Sequence, residues 1–145
     1  MLYIGADHDG FRLKQQIVKL LQKRNIAHSD LGPFVLDPND DYPLMAARVA
    51  KAVAKNPTSN RGILLCDSGV GMCIAANKVK KIRAVHAQSV TDAVHSRQDN
   101  NTNVLCLGRM SAQKALTIIT HWLNTPMSKA PRHHRRVRQI NALER

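Results

Sequence analysis

Aromatic side chains are scarce in this chain: two Phe, two Tyr and one Trp in 145 residues. A core built on so few rings must be aliphatic, from Ile, Leu, Val, Ala and Met. Long hydrophobic runs are missing too; no stretch approaches the roughly 20 apolar residues of a membrane span. The opening "MLYIGADHDG" has neither a basic leader nor a long apolar segment, so no signal peptide is expected and the expected compartment is the cytoplasm. Cysteine is limited to Cys66, Cys73 and Cys106. An odd number without C-x-x-C spacing argues against a disulfide framework and against a zinc site, and fits reduced thiols. Acid is in short supply: 10 Asp and Glu face 22 Lys and Arg, a formal net charge of +12. That balance favours anionic partners, whether nucleic acid, acidic lipid or phosphorylated metabolites. Much of the excess lies in the closing "KAPRHHRRVRQINALER". Linkers rich in Gly, Ser or Pro and internal repeats are also lacking, so residues 1–145 read as one domain.

What is there is an alternation of short apolar runs with helical periodicity. "MLYIGA" (1–6), "IAHSDLG" (26–32), "GILLC" (62–66), "IRAVHA" (82–87) and "NVLCLG" (103–108) read as strands. Between them, residues 10–24 place Phe11, Leu13, Ile17, Leu20 and Leu21 near helical spacing. Pro43 suits the first turn of a helix through "LMAARVAKAVAKN". A further helix continues through "GMCIAANKV", and others run over 89–98 and 111–125, both opened by a serine cap. A last helix starts near Pro131. Fully apolar strands alternating with helices imply a parallel sheet covered on both faces. The expected fold is therefore α/β, a doubly wound, Rossmann-like three-layer sandwich on a five-stranded sheet. Residues 126–145 have few apolar positions, and the final helix is expected to dock on a partner subunit.

In such sheets ligands bind beyond the carboxyl ends of the strands. Cys66 lies at one such end and Asp7 and His8 at another. In "LLCDSGVGMCIAANK" (64–78) a strand hands over to a glycine-rich turn that opens a helix. Free amides there suit a phosphate or an oxyanion. A thiol near a helix N-terminus is expected to have a lowered pKa, leaving thiolate available as base or nucleophile. The competing reading of Cys66 is a small core residue; its position beside the glycines weighs against that, whereas Cys73 and Cys106 sit in apolar patterns and read as core. "GVG" is not a complete G-x-G-x-x-G and no G-K-[ST] follows, so neither a dinucleotide nor a nucleoside-triphosphate site is expected.

Six segments in register carry a resemblance: "GADHDGF" (5–11), "DYP" (41–43), "CDSGVGMCIAANK" (66–78), "IRAV" (82–85), "SRQDNNTNVLCLG" (96–108) and "RHHRRV" (132–137). Together they resemble the type B ribose-5-phosphate isomerases, the family that also holds the galactose-6-phosphate isomerase subunits. The resemblance covers nearly the whole chain. It implies a homodimer or dimer of dimers with active sites shared between subunits. It also implies aldose–ketose isomerisation of a sugar phosphate through an enediolate, with no metal, no organic cofactor, no nucleic acid and no membrane. Residue by residue, Cys66 matches the catalytic base, and Asp7 and His8 match the pair that contacts the sugar. Asp67, Ser68, Gly69, Val70 and Gly71 match the loop whose amides hold the enediolate oxygens; the Ser68 hydroxyl stands where the family often has threonine. Tyr42 matches a pocket tyrosine and Asn100 a substrate-contacting amide. Arg109 matches an arginine after the fifth strand, with this chain one residue shorter there. Arg132 and Arg136 match phosphate-binding arginines given across the dimer interface; four apart on a helix, they share a face.

Two positions depart from that pattern. Asp99-Asn100 stands where the family typically reads "HN", and the missing histidine is the one credited with opening the furanose ring. Asp99 takes that role if burial raises its pKa; otherwise the substrate arrives already open, or His95 assists. Asp67 replaces a common glycine, and its carboxylate would raise the thiol pKa unless it points outward. The sugar expected is ribose 5-phosphate, with a hexose 6-phosphate such as allose 6-phosphate as the alternative, the loop 32–41 setting chain length. A basic module that merely holds a sugar phosphate or nucleic acid is the rival of another class. Retention of Cys66, Ser68, Arg132 and Arg136 together argues against it.

Overall fold

The computed structural model describes residues 1–144. Five strands form one parallel sheet: β1 (Leu2–Ala6), β2 (His28–Asp30), β3 (Arg61–Leu65), β4 (Ala84–His86) and β5 (Val104–Leu107), in the order β2-β1-β3-β5-β4. Six helices connect or follow them: α1 (Phe11–Lys23), α2 (Tyr42–Ala54), α3 (Val70–Ala76), α4 (Val90–Asn100), α5 (Ala112–Asn124) and α6 (Pro131–Ala142). Apart from Arg61 at the start of β3, the three central strands are apolar because both of their faces are covered. Ile4, Ile63, Leu64, Leu65, Leu105 and Leu107 have no exposed surface. Side chains alternate across the sheet, so Ile63, Leu65, Leu105 and Leu107 meet α1, α4 and α5, while Leu64, Val104 and Cys106 meet α2 and α3. The expected three-layer sandwich is the fold found.

The outer strands are shorter than the apolar runs suggest: β2 and β4 keep three residues each. Each is an edge strand with a single neighbour, β1 and β5 respectively. The helix expected through Val79 begins at Val70 and stops at Ala76. The Asn77 amide ends it by pairing with the Ala84 backbone: its Nδ2 donates to the Ala84 carbonyl and its Oδ1 accepts the Ala84 N–H. The serine caps form as expected. Ser89 and Asp92 make a reciprocal capping box, and the Ser111 hydroxyl accepts the Lys114 N–H.

The final helix does not stand free. His133 and Val137 bury against α4 of the same chain, while Arg132 and Arg136 face solvent. The helix is anchored on its own chain, with its arginine face exposed.

One glycine is set by close approach. A Cβ at Gly10 would lie 2.0 Å from the Leu65 carbonyl oxygen and 2.4 Å from its carbon, so α1 can start beside β3 only without a side chain there. Gly10→Ala is expected to cost on the order of 3 kcal/mol and to lower Tm by roughly 10 °C. Thermal denaturation of the variant checks this, and an unchanged or raised Tm would contradict the contact.

Candidate active site

The connection leaving β1 turns one way to β2, and the chain then returns to the other side of β1 as β3. The carboxyl ends of β1 and β3 therefore flank the point where the winding reverses, the usual crevice for a ligand in open α/β sheets. Asp7 and Cys66 occupy it, and the two strand ends are tied by the Asp7 N–H donating to the Leu65 carbonyl at 3.2 Å. Asp7 is only 6% exposed, and its carboxylate accepts the Gly10 N–H at 2.9 Å. Burial raises its pKa, opposed by that hydrogen bond and by His8.

Cys66 is 7% exposed. Its sulfur accepts the Gly69 N–H at 3.0 Å, and Gly69 itself takes a left-handed backbone (φ 82°) as the chain turns into α3. A Cβ on Gly69 would come within 2.6 Å of the His86 ring. Sequence reasoning expects a lowered thiol pKa; the site departs from that. Burial, the largest influence, pushes the Cys66 thiol up, and the Asp7 charge adds to it, while the amides of Gly69, Ser68 and Met72 pull it down. The helix N-terminus does favour the thiolate, but desolvation outweighs it. Cys106 is fully buried, and burial pushes its thiol higher still. Cys73 is half-buried with its thiol against the Ala84 carbonyl.

Asp67 points outward. Its carboxylate lies 2.8 Å from the Arg109 guanidinium and its carbonyl accepts the Arg109 N–H at 2.7 Å. The like-charge repulsion expected between Asp67 and the thiol gives way to an ion pair at the rim. Asp9 faces the same arginine at 3.6 Å. The Ser68 hydroxyl accepts the Val70 N–H at 3.2 Å, holding the turn that opens α3. The Tyr42 ring lies over Gly71, where an added Cβ would be 2.8 Å from it. Asp7, His8, Tyr42, Cys66, the loop from Asp67 to Gly71, and Arg109 thus share one rim. Two neighbours there escaped sequence reasoning: Asp9, and Asp40, whose carboxylate meets the His8 ring at 2.6 Å. Asp40 reads as one more turn former in "DPNDDYP"; only the β2–α2 connection ending at the same rim would have marked it.

The remaining expected residues lie elsewhere. Helix α4 starts after the carboxyl end of β4 and finishes at Asn100, before β5 begins, so Asp99 and Asn100 sit at the amino edge of the sheet. The Arg83 guanidinium, ahead of β4, donates to the Asn100 carbonyl there and also to Asn141 in α6. His133 in α6 is 3.6 Å from the Asp99 carboxylate. Asp99, Asn100, Arg132 and Arg136 therefore group at the edge opposite Cys66. Asp99 is half exposed; the burial that a ring-opening role calls for is not provided within one chain. Among the described residues no cluster of His, Cys, Asp and Glu is arranged to hold a metal ion, and no helix is long and apolar enough to cross a membrane.

Comparison with known proteins spans nearly the whole chain. The family model described as Ribose/Galactose Isomerase matches residues 2–140. The chain is 42% identical to ribose-5-phosphate isomerase B of Mycolicibacterium paratuberculosis, over 99% of this chain and 91% of that protein. It is likewise 42% identical to the Escherichia coli protein of the same name, over 97% and 93% of the two chains. Among solved structures it resembles ribose-5-phosphate isomerase B from Mycoplasma genitalium with bound ribulose-5-phosphate, at TM-score 0.93 and 39% identity, covering 99% of this chain and 95% of that one. On the match of nearly its full length, the chain belongs to the ribose/galactose isomerase family.

Proposed function

We propose that this chain interconverts ribose 5-phosphate and ribulose 5-phosphate, with Cys66 as the base. The observation that carries the reading is the Cys66 sulfur held against the Gly69 amide in the switch-point crevice beside Asp7. The likeness to a relative solved with ribulose-5-phosphate adds the substrate class.

The proton on C2 of the open aldose is weakly acidic, so its removal needs a positioned base and stabilisation of the charge that builds on the carbonyl oxygen. The Cys66 thiolate takes the C2 proton, the electron pair forms the C1–C2 double bond, and negative charge moves onto O1. Transfer of the O2 proton to O1, with return of the carbon-bound proton from Cys66 to C1, gives the ketose and restores the thiolate. In the loop after Cys66 the Gly69 amide serves the sulfur and the Val70 amide the Ser68 hydroxyl, so the Gly71 amide is the loop donor left for an enediolate oxygen, worth on the order of 3 kcal/mol. Tyr42 walls the pocket, and Arg109, paired with Asp67, borders it. Asp99, Asn100, Arg132 and Arg136 reach a site only by facing the Cys66 rim of another copy. The proposed unit is therefore a dimer, or a pair of dimers, whose sites each draw on two chains.

The deciding experiment sets ribose 5-phosphate and allose 6-phosphate side by side in an isomerase assay. Turnover of the pentose phosphate is expected; preference for the hexose phosphate would move the substrate assignment, and no turnover of either would end the isomerase reading. A pH profile gives a second result. Since the base must be deprotonated and burial raises the Cys66 pKa, kcat/KM is expected to climb with pH through a midpoint above the ordinary thiol value. A limb that rises at acidic pH and is flat above neutrality would instead point to a carboxylate base.

A further inference from the structure

His8 and Asp40 are joined twice. One oxygen of the Asp40 carboxylate accepts the His8 backbone N–H at 3.0 Å and contacts ring Nδ1 at 2.6 Å. The two residues come from different connections, β1–α1 and β2–α2, and meet at the rim that carries Cys66. With Nδ1 tied to Asp40, the other ring nitrogen, Nε2, faces the Asp9 carboxylate. The two lie 3.4 Å apart, at a cavity of about 400 Å³ lined by His8, Asp9, Arg12, Gln16 and Arg109 among others.

We propose that Asp40 is a positioning residue for the isomerase site: its carboxylate, bound to both the backbone N–H and ring Nδ1 of His8, fixes the ring with Nε2 turned to this cavity and favours the ring as a charged donor to the sugar phosphate. The inference rests on the isomerase reading for the identity of that ligand. The charge balance around the ring supports it. Asp40 from the facing loop and Asp9 and Asp7 from its own turn favour the imidazolium, desolvation opposes it, and Arg12 of α1 and Arg109 of the β5–α5 connection are the cations lining the same cavity. The hydrogen bond to Asp40 is the strongest of these influences and raises the His8 pKa above its ordinary value. A doubly protonated imidazole offers both nitrogens as donors, one for Asp40 and one for a ligand oxygen; the neutral ring has only one N–H to give.

The test uses the full chain. Imidazole ¹H–¹⁵N spectra are followed between about pH 5 and pH 9, with His8→Gln identifying the His8 signal by its loss. In Asp40→Asn the His8 midpoint is expected to fall back toward the ordinary value near 6.5, and Asp40→Glu, which restores a carboxylate, to recover part of the shift. In the same variant the KM for ribose 5-phosphate is expected to rise severalfold at slightly alkaline pH, to converge on the unmodified chain's value at acidic pH, and to change more than kcat. A His8 midpoint that stays in place in Asp40→Asn overturns the proposal. So does a KM raised equally at every pH, which is what a merely displaced loop would give. If the unmodified chain turns over no sugar phosphate, it is the isomerase reading that has failed, and the His8 midpoint in Asp40→Asn still decides whether the pair exists.

Discussion

Cys66→Ala is expected to lower kcat about 10³-fold, about 4 kcal/mol of barrier, with KM changed little. The effect follows from the position of the thiol. The thiol is nearly enclosed, contacts the Gly69 amide, and lies beside Asp7 in the crevice between β1 and β3. Removing one sulfur atom leaves a small void, with an expected stability cost of about 1 kcal/mol, so the loss of turnover is separable from unfolding by thermal denaturation of the same variant. The raised pKa shapes the outcome as well. At neutral pH only a minority of chains carries thiolate, but a base of higher pKa takes the C2 proton with greater driving force once ionised. The two effects oppose each other, and the alkaline climb of kcat/KM is where the first shows. Residual activity in Cys66→Ala should lose that climb. Near-normal kcat in the variant would remove Cys66 as the base and leave Asp7, the other buried ionisable group of the crevice, to take its place.

How far the sequence alone carries this argument depends on the kind of feature. The sheet was legible because β1, β3 and β5 are apolar on both faces and the helices between them keep their periodicity, so Ile4, Leu64 and Leu105 announce a covered parallel sheet before any coordinates. Ser89 and Ser111 were legible because capping is local chemistry. The edge strands were overestimated because pairing on one side only is a property of the sheet and not of the run. The thiol illustrates the harder case. Its neighbours in sequence, the glycines and the helix start, predict a lowered pKa; its neighbours in space, the enclosing core and Asp7, raise it. Asp67 was ambiguous for the same reason, since only the path of the β5–α5 connection supplies the Arg109 that draws its carboxylate outward. Asp40 was hidden altogether, as its partner lies 32 positions away.

The proposed sharing of sites between two chains leads to the second large effect. Arg132 and Arg136 lie at the amino edge of the sheet, exposed, on the outer face of α6. Cys66 lies at the carboxyl edge. If both act on one substrate, they must come from different chains. Arg136→Ala alone is then expected to raise KM for ribose 5-phosphate by roughly 10²-fold, the loss of a charge-assisted contact to a phosphate. Mixed chains give the sharper result. A dimer of one Cys66→Ala chain and one Arg136→Ala chain has one site lacking both groups and one site with both intact. Refolding the two variants together in equal amounts makes about half of the dimers mixed, each with one working site, so about a quarter of the unmodified activity should return at low substrate. Each variant refolded alone stays near zero under the same conditions. If the groups instead met within one chain, every site in the mixture would lack one of them, and no activity would return. Recovery of that quarter, measured against equal total protein, is thus a count of sites assembled from two copies, and its absence would break the link between the arginine face of α6 and the thiol.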